Sequence, residues 1–112
     1  MRISLLYTKN CPHRHEADAN IRAALTDLGW GEVNVERIEI RTAEHADLFG
    51  FRGSPTVLLD GEDPFADPAA PIALACRLYA TDAGLVGTPT VKQLRAVLPT
   101  APPAPEEPAS QP

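Results

Sequence analysis

Between two short β-prone runs, Arg2–Tyr7 (RISLLY) and Val33–Ile40 (VNVERIEI), lies one long amphipathic stretch, and this succession restricts the fold more than any other feature. Ala17, Ile21, Ala24, Leu25 and Leu28 recur at i, i+4, i+7, i+8 and i+11, which is one stripe of an α-helix. Asn10 and Pro12 suit its start and Gly29 its end. A strand, a helix and a second strand in this order imply a right-handed crossover and a sheet covered by helices.

The second strand changes phase. Val33 and Val35 share one face and Ile38 and Ile40 the other, so either a bulge near Glu36–Arg37 or burial of both faces is expected. Thr42 can cap a short helix over Ala43–Phe49, ended by Gly50. Thr56–Leu59 reads as a compact apolar strand with a turn at Asp60-Gly61, followed by a proline-rich loop, EDPFADPAAP. Ile72–Ala80 (IALACRLYA) suits strand or helix, and an irregular or helical start with a strand over Cys76–Tyr79 is expected. Thr90 opens a last helix with Gln93 in the capping-box position; Val91, Leu94, Val97 and Leu98 face inward and Pro99 ends it. The class is α/β, a central mixed sheet flanked by helices in the order β-α-β-α-β-β-α. Trp30 is expected to cover the end of the first helix by packing.

The 112 residues suit one domain. From Thr100 the chain reads TAPPAPEEPASQP, with nothing large to bury, so residues 1–99 are expected to form the domain and 100–112 a disordered tail. The net charge of −5 offers no footprint for a phosphate backbone, which argues against nucleic acid as a partner. The first residues, MRISLLY, lack the length of a signal-peptide core, and no apolar run approaches the ~18 residues of a membrane span. A cytoplasmic protein is expected, with thiols reduced unless redox chemistry is their task. Two cysteines exclude a stapled disulfide scaffold.

Chemistry concentrates on Cys11. A helix N-terminus carries free amides and partial positive charge, which favours thiolate over thiol. If the helix begins near Cys11, Arg14 and His15 lie on the same face and strengthen that effect. The plainer reading is a buried structural cysteine. Cys76 is either a small buried hydrophobe or a resolving thiol for Cys11, which requires Cα atoms within ~7 Å. Cys11-X-His13-X-His15 lacks metal-ligand spacing, since i and i+2 diverge on a helix, and no metal or other cofactor is expected.

The strand ISLLY, the following Cys11-Pro12-His13-Arg14, the long helix, and Ser54-Pro55-Thr56 before VLLDG together resemble the thioredoxin superfamily. The resemblance implies a thioredoxin-like fold over residues 2–98, a nucleophilic Cys11 and a cis-proline at Pro55. It also implies a groove in which Pro12, Ser54, Pro55 and Thr56 meet a substrate's extended backbone. The family's second cysteine is replaced by Arg14, so a two-electron cycle needs another thiol, Cys76 or an external one such as glutathione. The implied function is thiol–disulfide exchange, an oxidoreductase activity, on a protein or small-molecule thiol or disulfide. Loss of the second cysteine equally suits a non-catalytic interaction module. Residues 73–98 resemble small bacterial thioredoxin-like proteins grouped with alkylmercury lyases. This implies a third reading, soft-metal or organomercurial binding through Cys11 and Cys76, with Asp60 and Asp82 the available aspartates.

Overall fold

A computed structural model describes residues 1–99; the tail expected over 100–112 lies outside the described residues. The order is β1 (Ile3–Tyr7), α1 (Arg14–Asp27), β2 (Val35–Glu39), α2 (Ala43–Phe49), β3 (Thr56–Leu59), β4 (Tyr79–Thr81), β5 (Gly84–Val86) and α3 (Val91–Val97). β1 is central in a mixed sheet of order β2-β1-β3. It pairs parallel with β2, Ile3 opposite Val35, and antiparallel with β3, Ile3 opposite Leu59. β4 and β5 form a separate hairpin.

Alternation along β1 sends side chains into two cores. On one face Ile3, Leu5, Val35 and Val57 pack with Ala17, Ile21, Ala24 and Leu25 of α1 and with Leu94 and Leu98 of α3 and its end. On the other, Leu6, Ile40 and Leu58 pack with Ala46 of α2 and with Phe51. The phase change in the second strand is thereby explained. Val35 serves the first core and Ile38 and Ile40 the second, and the register with β1 runs unbroken, without a bulge.

Both longer connections out of helices use one device. After α1, Gly29 takes φ 80°, its amide bonds Thr26 O, and the Trp30 amide bonds Leu25 O at 2.7 Å, dropping the indole into the first core. After α2, Gly50 takes φ 63° and the Phe51 amide bonds Ala46 O at 2.8 Å, burying the ring in the second. These are Schellman closures, whose left-handed residue is most comfortably glycine. Thr42 caps α2 through the His45 amide, and Thr90 and Gln93 form the full capping box of α3.

Three expectations are corrected. The first helix begins at Arg14, with His13 as N-cap, rather than near Cys11; residues 8–11 first form a turn in which the Cys11 amide donates to Thr8 O at 3.1 Å. The strand expected over Cys76–Tyr79 lies instead at Tyr79–Thr81. A further strand, Gly84–Val86, completes a hairpin where a single strand was expected. Among the described residues no helix is long and apolar enough to cross a membrane.

β2 has no strand partner on its outer side among the described residues. Its charged side chains are paired: Glu36 with Arg2 ahead of β1, Arg37 with Asp18 of α1 as a two-point contact of 2.6 and 2.8 Å, and Glu39 with Arg41 just after the strand.

Candidate functional site

The two cysteines, 65 positions apart in sequence, open on one cleft. It has a volume of about 670 Å³ and is lined by Cys11 and Cys76 together with Thr8, Asn10, Ile40 and Leu74, among others. Both are free thiols, Cys11 half-buried and Cys76 exposed. A second cleft of about 620 Å³, bordered by Arg52, Phe65, Tyr79 and Leu85, also reaches Cys76, which therefore stands on the ridge between the two.

Ser54 joins the two cysteine-bearing segments. The residue is 2% exposed, and its Oγ accepts a hydrogen bond from the Thr8 amide at 3.0 Å, at the base of the turn that carries Cys11. Its backbone pairs with the other segment: the Ser54 amide donates to Ala75 O at 2.7 Å, and the Arg77 amide donates to Ser54 O at 3.0 Å. The result is an isolated parallel bridge between Ser54 and Cys76. The Ser54–Pro55 peptide is cis. Gly53, just before it, has φ +117°, and a Cβ built there would lie 2.9 Å from Arg77 Cβ and 3.3 Å from Ala75 O. Only glycine lets residues 75–77 approach this closely.

Behind Cys76 lies a polar network that the sequence did not announce. The Arg77 guanidinium donates to Asp63 Oδ2 at 2.7 Å and Oδ1 at 3.3 Å, to Thr56 Oγ1 at 3.1 Å and to Phe65 O at 2.8 Å. It also lies over the Tyr79 ring, 4.6 Å from the centroid. Both side chains of the Arg77–Asp63 pair are only 9% exposed, the most buried ion pair among the described residues. Thr56 donates its hydroxyl to Gly53 O at 2.6 Å, and Tyr79 donates its hydroxyl to Pro55 O. Burial pushes the Tyr79 phenol well above its ordinary range; Arg77 pulls it down, while Asp63 and Cys11 push it up, so the hydroxyl remains a donor at working pH.

The expected site residues divide accordingly. Cys11 and Cys76 line one cleft, and Ser54 bonds to the segment of each, with Pro55 buried beside Ser54. Thr56 is fully buried with its hydroxyl already engaged by Gly53 and Arg77. Arg14 stacks on the Tyr7 ring, 4.3 Å from its centroid, His15 is exposed on α1, and Pro12 is exposed before the N-cap; none of the three borders the shared cleft. Asp60 accepts from the Arg2 amide at the far end of the sheet, and Asp82 pairs with Lys92, so neither available aspartate faces the thiols.

The sequence reading missed Asp63 and Arg77. The available signal was Arg77 itself, the single charge inside the apolar run IALACRLYA. An arginine carried inward by such a run requires an anionic partner. No family model, curated protein or solved structure matches this chain.

Proposed function

We propose that the chain is a thioredoxin-like thiol–disulfide exchange protein in which Cys11 and Cys76 are the working pair. The fold reading is supported by β1 lying between a parallel β2 and an antiparallel β3. The cysteine follows β1 and the Ser54-Pro55 pair opens β3. The functional reading is carried by one observation: both thiols open on the same cleft, their segments joined through Ser54.

The electron balance is simple. The Cys11 thiolate attacks a substrate disulfide R–S–S–R′, forming Cys11–S–S–R and releasing R′–S⁻. The Cys76 thiolate then attacks the Cys11 sulfur, releasing R–S⁻ and leaving a Cys11–Cys76 disulfide. The substrate gains two electrons and the protein loses them; an external dithiol returns it to the reduced form. Cys11 is assigned the attacking role from its place after β1, where the thioredoxin resemblance puts the nucleophile, and Cys76 the resolving role.

The test uses a small aromatic disulfide and mass spectrometry. Cys76→Ser should retain one aromatic adduct on Cys11, whereas the wild type should lose it and become 2 Da lighter through an internal disulfide. Cys11→Ser should give neither behaviour at a comparable rate. An adduct on the wild type that persists as long as on Cys76→Ser refutes the pair. Absence of exchange at Cys11 returns the protein to the interaction-module reading.

A further inference from the structure

We propose that Asp63 and Arg77 are positioning residues that hold the Cys76 thiol toward Cys11 and thereby set how readily the internal disulfide forms; this rests on the thiol-exchange reading above. Residues 71–78 belong to no helix or strand. Their backbone is fastened at three points, by Ala73 N to Phe51 O, Ser54 N to Ala75 O and Arg77 N to Ser54 O. Those bonds pair the segment with Ser54 in a parallel bridge at Cys76, and the side chains fasten it to the rest of the fold. In an extended segment successive side chains point to opposite sides. Arg77 is drawn inward by four hydrogen bonds to Asp63, Thr56 and Phe65, while its neighbour Cys76 stays exposed on the ridge that borders the cleft shared with Cys11.

The chemistry depends on this orientation. Resolution of the Cys11 mixed disulfide is an intramolecular attack, whose effective concentration ranges from mM for a flexible tether to many orders higher for an oriented pair. Releasing the guanidinium leaves the segment held by its backbone bonds alone, which widens the range of positions the Cys76 thiol samples and lowers its effective concentration at Cys11. Forming the internal disulfide expels the thiol R–S⁻ from the mixed disulfide, and glutathione can act as R in both directions.

The experiment equilibrates the full chain with mixtures of reduced and oxidised glutathione, quenches by alkylation and quantifies the Cys11–Cys76 disulfide by mass. Asp63→Leu/Arg77→Met removes both charges together, an exchange that buried pairs often tolerate. Arg77→Lys keeps a cation that can meet Asp63 but cannot fork to Thr56 and Phe65. Cys76→Ser in each background supplies the rate at which Cys11 alone takes a small disulfide. The double variant should lower the effective concentration of the thiol pair at least tenfold, equivalent to about 30 mV, with Arg77→Lys intermediate and the Cys11 rate unchanged. Should the double variant fail to fold, Arg77→Lys decides by the same readout. A thiol-pair equilibrium within twofold of wild type in a folded variant overturns the positioning role alone. A wild type that forms no internal disulfide overturns the exchange reading and this inference with it.

Discussion

Replacing Ser54 with alanine removes a single oxygen at the point where the two cysteine segments meet. In the folded chain that oxygen accepts from the Thr8 amide at 3.0 Å, and Ser54 is 2% exposed. Alanine leaves the amide without its acceptor. Stranding a buried donor costs about 1–3 kcal/mol, and the lower end applies because Thr8 is only half-buried and water can reach it in part. The backbone bonds of Ser54 to Ala75 and Arg77 survive the substitution, so the Cys76 segment should stay in place. The expected loss is therefore about 1 kcal/mol, which for a domain of this size lowers Tm by roughly 4–8 °C. Urea unfolding supplies the global figure, and amide exchange separates the local effect. Thr8 should lose protection beyond the global change, while Leu5 and Leu6 of the central strand should follow the global change only. A stability change under about 0.3 kcal/mol with an unaltered Thr8 amide would refute the assignment of Ser54 as the joint, since the expected penalty is several times that size.

Two further outcomes follow from the geometry. Gly53→Ala forces an unfavourable left-handed φ and sets a Cβ 2.9 Å from Arg77 Cβ, so it should destabilise by more than about 1 kcal/mol. It should also raise the alkylation rate of Cys76; unchanged stability and reactivity would mean that residues 75–77 do not rest on Gly53. The Arg37 hydrogen bond holds the Asp18 carboxyl below its ordinary value, outweighing partial burial. A lowered folded pKa gives stability that is present above the unfolded value and lost as pH falls through the folded one. Asp18→Asn should therefore be less stable than wild type at pH 7, by up to about 1 kcal/mol for a pair this exposed. The gap should close as pH falls below the carboxyl's ordinary value of 3.8; a gap independent of pH in urea titrations argues against the pair.

Elements with local signals were legible in the sequence. The stripe from Ala17 to Leu28, the Thr42 cap with its Gly50 stop, and the Thr90–Gln93 box each specify a helix by contacts within a few residues, and each forms as expected. What escaped is governed by distant partners. Arg77 turns toward Asp63 and residues 75–77 pair with Ser54, so an apolar run that reads as a strand instead becomes a fastened segment, with the strand displaced to Tyr79. The hairpin turn is secured by Thr81, whose hydroxyl accepts from the Ala83 amide and donates to Gly84 O, a short-range signal visible only once the strand is placed. Cys11 lies in a setting other than the one its sequence neighbours imply. Pro12 lies between it and the N-cap, so the helix gathers Arg14 and His15 away from the thiol, and the sulfur takes its surroundings from the Thr8 turn and the Cys76 segment.

The outer margin of β2 exposes a row of amides and carbonyls on which a stray peptide could lay down another strand. Any such newcomer lies beside Glu36, Arg37 and Glu39, which pair with Arg2, Asp18 and Arg41 respectively. An apolar strand laid along that margin would set its own side chains next to these charges and strip water from them. The border that the sheet leaves unfinished among the described residues thus carries the kind of charge by which edge strands resist pairing with strangers.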